Sequence, residues 1–129
     1  MQLPELFEEK MKHLLGAEYD EFQRSYGKER RQALRVNPAK LSAAEMKERS
    51  PFTLEPVPWA KNGFYYGAED RPGRHPWHEA GVYYIQEPSA MSVAELAGVQ
   101  PGERVLDLCA APGGKSTQLA AALEGRGLL

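Results

Sequence analysis

The chain has 129 residues, the size of one ordinary domain or of two small pieces that share a larger fold. Hydrophobic residues make up 42% and charged residues 26%, which excludes the disordered, fibrous and disulfide-rich classes, and no run approaches the roughly 20 apolar residues of a membrane span. A formal charge of -2 excludes a surface that grips nucleic acid all over, so any such contact must be local.

Leu3, Phe7, Met11, Leu14 and Leu15 recur at helical steps behind Pro4, which predicts a first helix ending near Gly16. Tyr19, Phe22 and Tyr26 repeat the spacing up to Gly27, so a second helix is expected to pack on the first as a hairpin. The densest basic stretch follows, with Lys28, Arg30, Arg31, Arg35 and Lys40 broken only by Glu29. Within it Ala33 to Asn37 reads as a short extended piece, because Pro38 disfavours helix at the residue before it. Ser42-Ala43-Ala44-Glu45 is a capping box that should open a third helix running to about Arg49.

Between Ser50 and Gly67, prolines alternate with Phe52, Leu54, Val57 and Trp59 before Asn62-Gly63 and Phe64-Tyr65-Tyr66, the pattern of extended strands around a turn. Glu69 to Pro76 is polar and rich in Arg, Pro and Gly, and we place a boundary there. Residues 1–72 form an N-terminal region and residues 73–129 a second unit. Pro88 opens an apolar helix closed by Gly98. Val105 to Cys109 has the profile of a central parallel strand, and Ser116 to Leu123 is helical. A second strand would start only at Leu128-Leu129.

The chemistry concentrates in Asp107-Leu108-Cys109-Ala110-Ala111-Pro112-Gly113-Gly114-Lys115. A strand that ends in a glycine turn and runs directly into a helix converges backbone amides on a point that also feels the positive helix end, which suits an anionic group. Gly113 and Gly114 clear the approach, Pro112 stiffens the bend and Lys115 adds charge. Gly114-Lys115-Ser116 matches the end of a nucleotide-hydrolase phosphate loop, but Cys109 stands where that loop needs its first glycine. No glycine trio follows Asp107 in dinucleotide spacing. Asp107 precedes the bend and is expected to hold the turn by accepting backbone amides.

These nine residues resemble the cofactor motif of the Sun family of RNA 5-methylcytosine methyltransferases. The upstream block Ala80 to Met91 resembles the segment that precedes the cofactor strand in that family, and Leu34-Arg35-Val36-Asn37-Pro38 is similar, more loosely, to its N-terminal RNA-contacting region. The resemblance implies an α/β fold: the truncated start of a Rossmann-like S-adenosylmethionine-dependent methyltransferase, preceded by a small mixed α+β region that contacts RNA. It implies S-adenosyl-L-methionine as cofactor, held by Cys109, Ala110, Ala111, Pro112, Gly113, Gly114 and Lys115. It further implies RNA, expected to be ribosomal, as partner, with Arg35, Asn37 and Lys40 as contacts, and a cytoplasmic location.

Such enzymes use a cysteine thiolate on carbon 6 of cytosine, so that the ring can attack a methyl group at carbon 5. In the family pattern that thiolate, and a second cysteine that helps release the product, fall in later motifs beyond Leu129. Cys109, the sole cysteine, belongs by resemblance to the cofactor loop, and its strand-end position suggests a buried structural thiol. The chain by itself is therefore expected to be inactive. A non-catalytic RNA-binding module and a phosphate-loop hydrolase are the competing readings. His75 and His78 lack a third ligand, so no metal is expected, and the tyrosine pairs 65–66 and 83–84 read as half-buried packing before base stacking.

Overall fold

A computed structural model of the chain describes residues 3–129. Two compact units divide after Arg30. In the first, the predicted hairpin is present as α1 (Glu5–Leu15) and α2 (Tyr19–Ser25), joined by a single 3-10 turn. Its cohesion is aromatic: Phe22 meets Phe7 at 6.3 Å, Tyr19 at 6.2 Å and Tyr26 edge-on at 5.2 Å between ring centroids. Leu14, placed on the apolar face by its spacing, is exposed.

The second unit is built on a four-stranded antiparallel sheet in the order β2-β3-β1-β4, with β1 at Ala33–Val36, β2 at Leu54–Pro56, β3 at Gly63–Tyr66 and β4 at Tyr83–Ile85. β1 is central, with Leu34 opposite Phe64 on one side and opposite Ile85 on the other. Because side chains alternate, Leu34 and Val36 enter a core with Leu41, Met46, Phe64 and Tyr83, while Ala33 faces a second cluster of Val57, Ala60, Tyr65 and Met91. The first core is covered by α3 (Ala43–Arg49), opened by the expected capping box: the Ser42 hydroxyl takes the Glu45 amide and the Glu45 carboxylate takes the Ser42 amide. The second lies under α5 (Pro88–Ala97), whose Met91 is fully buried. The sheet continues across residues 72 and 73, since β4 hydrogen-bonds to β1.

Two short helices complete the frame. In α4 (Pro76–Glu79), His75 Nδ1 caps the start by accepting the Trp77 amide. α6 (Gly114–Ala122) packs on α5 and starts two residues earlier than its sequence suggests. The expected strand at Val105–Cys109 differs. Its parallel pairing is a single bridge, Arg104 to Leu128, with the Val105 amide donating to Leu128 O at 2.8 Å and the Leu128 amide to Glu103 O at 3.0 Å. Leu106 and Leu108 are consequently 80% and 84% exposed. A central parallel strand needs a neighbour along its whole length, and among the described residues Leu128 supplies only one such contact.

The close approach of α5 to the sheet depends on Gly63. A Cβ there would lie 2.7 Å from Met91 Sδ, 2.8 Å from Ala60 Cβ and 3.2 Å from Val57 Cβ. Gly63→Ala is expected to cost about 1–3 kcal/mol by overpacking, read as a lowered midpoint in urea with an unchanged slope. An unchanged midpoint would show that α5 has room to move.

Candidate functional site

The turn from Asp107 into α6 is tied by side chains that bond inward. Asp107 Oδ1 accepts the Cys109 amide at 2.9 Å, the role its position suggests, and Oδ2 lies 2.6 Å from Ser116 Oγ, which donates its proton there. One carboxylate thus pins the first residues of the turn to the first turn of the helix. Two donors stabilise its charged form, so the Asp107 pKa falls below its ordinary 3.8, chiefly through Ser116, then Cys109, with Lys115 assisting.

Gly113 caps α6 at φ +104, a conformation that L side chains rarely adopt, and nothing lies within 4 Å of where its Cβ would stand. Its carbonyl accepts the Thr117 amide at 2.9 Å and the Thr117 hydroxyl at 2.8 Å. The amides of Gly113, Gly114, Lys115 and Ser116 meet no acceptor among the described residues. Orphan amides at a helix start, reinforced by the helix dipole and the exposed Lys115, form a donor set for an anion.

Cys109, Ala110, Ala111 and Pro112 line the outer side of the turn and are exposed; the Ala111-Pro112 peptide is cis. Exposure of Cys109 corrects the expectation of a buried thiol. The strand it was expected to end is not formed. A separate cleft of about 1030 Å³, bordered by Arg35, Lys61, Glu95 and Gln118, includes none of the residues 109–115.

The three residues expected to meet RNA are engaged elsewhere. Arg35 is only 4% exposed, and its guanidinium donates to Gln86 Oε1 at 2.8 Å, Gly114 O at 3.1 Å and Thr117 Oγ1 at 2.7 Å. Burial lowers its pKa from the ordinary value, opposed by Tyr84 and Glu95. Arg35 is thus an internal tie between the sheet and the turn. Asn37 Nδ2 donates to Gly81 O at 3.1 Å and Lys40 Nζ to Ala80 O, so both hold the segment before β4.

The tyrosines follow the packing expectation. Tyr83 is buried with its hydroxyl on Pro72 O at 2.8 Å, and burial raises its pKa to about 12. Tyr65 packs in the second core with Arg31 stacked 3.8 Å from its ring, and Arg31 also pairs with Glu55. Gln86 and Thr117 were not singled out by sequence reasoning. The polar Gln86 inside the block from Ala80 to Met91 was the available signal.

Residues 3–88 match the family described as the N-terminal domain of 16S rRNA methyltransferase RsmF. The chain belongs to this family. It is 39% identical to ribosomal RNA small subunit methyltransferase F of Shewanella oneidensis, an alignment covering 85% of this chain and 25% of that protein. The Vibrio vulnificus protein of the same name is 37% identical, covering 98% of this chain, the turn included, and 29% of its own length. A crystal structure of a methyltransferase homologue from Pyrococcus horikoshii superposes with a TM-score of 0.82 at 32% identity, over 97% of this chain and 42% of that one. The mixed α/β fold is thus shared with a methyltransferase homologue. The chain spans 23% to 29% of the length of curated relatives it matches. No helix among the described residues is long and apolar enough to cross a membrane.

A carboxyl whose pKa is lowered on folding contributes stability that is complete above its unfolded value and lost as pH falls through the folded one. The Cys109 amide resonance is therefore expected to stay constant from pH 7 to about 4 and to move only below Asp107's ordinary 3.8. A midpoint at or above 3.8 would contradict the bonding described.

Proposed function

We propose that this chain is the cofactor-holding front of an S-adenosylmethionine-dependent methyltransferase that forms 5-methylcytosine in ribosomal RNA. The observation that carries the reading is the row of unpartnered amides at the start of α6, in an exposed glycine turn, on a chain of the 16S rRNA methyltransferase RsmF family. The donor set suits the carboxylate of a methionine moiety, and the open space beside Gly113 admits it closely. S-adenosylmethionine, when bound, supplies an electrophilic methyl group on sulfur. Gly113, Gly114 and Lys115 present donors and charge, while Cys109, Ala110, Ala111 and Pro112 form the wall of the turn. Cys109 is assigned to the cofactor loop, with no nucleophilic role.

On this reading residues 73–129 open a Rossmann-like unit, and the parallel bridge from Arg104 to Leu128 marks the start of its sheet. The division at residue 72 is one of role, since β4 belongs to the same sheet as β1. RNA contact falls to residues 1–72, on positions other than buried Arg35, and the protein works in the cytoplasm on ribosomal RNA.

Equilibrium dialysis of the chain with radiolabelled S-adenosylmethionine tests the site. Saturable binding, unaffected by magnesium-ATP, is expected, and Gly113→Ala should weaken it roughly tenfold because the turn must strain by about 1–3 kcal/mol to accept a Cβ at this φ. ATP competition would favour the hydrolase reading. Methyl transfer to 16S rRNA by the chain alone would contradict the assignment of Cys109 and the expectation of inactivity.

A further inference from the structure

The value of the turn's amides depends on where their peptide planes point. In a trans peptide the carbonyl and the following N–H face opposite ways, so fixing the Gly113 carbonyl into the helix aims the Gly114 amide out toward the turn. That carbonyl is held by Thr117 through both amide and hydroxyl. The Thr117 hydroxyl in turn accepts from Arg35 Nη2 at 2.7 Å, and the same nitrogen donates to Gly114 O at 3.1 Å. A chain of hydrogen bonds therefore runs from the centre of the sheet to the glycine that caps the helix.

Arg35 is an expensive residue for mere space filling. It is 4% exposed and forms no ion pair among the described residues. An apolar side chain of similar length would fill the site with less desolvation cost. Its acceptors are neutral oxygens, and Glu95 acts on it only through space. Gln86 sets the guanidinium's orientation: Oε1 accepts from Nε at 2.8 Å, which leaves the buried Nε2 without a partner among the described residues, 3.4 Å from where a Gly114 Cβ would stand. The result is a positive charge beneath the positive end of α6. That pairing is unfavourable in the free protein and favourable once an anion occupies the turn.

We infer that Arg35, oriented by Gln86 and acting through Thr117, is the positioning residue of the cofactor turn. This rests on the reading of the turn as a cofactor site. Arg35 does not touch the ligand; it sets the outward aim of the Gly114 amide and adds buried positive charge behind it.

The test uses S-adenosylhomocysteine titrated into the chain, and amide hydrogen exchange at Thr117, which needs no ligand. Arg35→Met is expected to weaken binding by roughly tenfold or more, and Thr117→Val, which keeps shape and removes the acceptor, by roughly threefold to tenfold. Because both act along one chain of bonds, the double variant should bind no worse than about twofold below Arg35→Met. Arg35→Lys should recover part of the loss, since an ammonium keeps the charge and loses the fork. Tyr83→Phe, which removes a buried hydrogen bond remote from α6, should lower the melting temperature and leave affinity unchanged. Unaltered affinity in both Arg35→Met and Thr117→Val, or fully additive losses, would overturn the inference. If the unsubstituted chain binds nothing, the cofactor reading fails, and exchange decides the positioning: faster exchange of the position-117 amide in Thr117→Val and Arg35→Met, corrected for the intrinsic rate of the residue there, supports it, and unchanged exchange overturns it.

Discussion

A guanidinium that pairs with no carboxylate among the described residues sits where the central strand of an antiparallel sheet meets the first turn of a helix. Placing it there requires both faces of β1 to be covered, one by α3 and the other by α5, and all four residues of the strand are buried. The α5 side is tight enough that Gly63, opposite Arg35 in the register, has no space for a Cβ. The strand that resembles an RNA-contacting motif is therefore the floor beneath the glycine turn that opens α6. Arg35 couples the two.

The turn itself follows a simple division of labour. Side chains bond inward: Asp107 to Cys109 and Ser116, Thr117 to Gly113. Backbone amides are left facing outward, and glycine at the cap keeps the approach open. Nothing in this arrangement requires a reactive side chain, and the exposed Cys109 is one wall of the loop. The arrangement suits binding and orientation of an anionic ligand, the role proposed for it.

Local signals were legible where the physics is local. The capping box at Ser42, the glycine stops at Gly16 and Gly98, and the helix after Gly113 all depend on neighbouring residues, and all are present. Two non-local features were not. β4 lies inside a tyrosine-rich block with no alternation to mark it, and it exists because β1 offers a free edge. Arg35 reads as a surface cation in a basic stretch, since its burial depends on α5 and on acceptors 51 and 82 positions away. The opposite error occurred at Val105–Cys109, whose composition fits a central strand but whose pairing reaches only Leu128 among the described residues.

The proposed site has the amides at the start of α6 hold the methionine end of the cofactor. Mapping backbone amide shifts of the chain during titration with S-adenosylhomocysteine tests it most directly. Saturating shifts are expected that are largest from Cys109 to Lys115, with smaller ones at Thr117 and Arg35. Shifts confined to other surfaces, or none at saturating concentration, would contradict it.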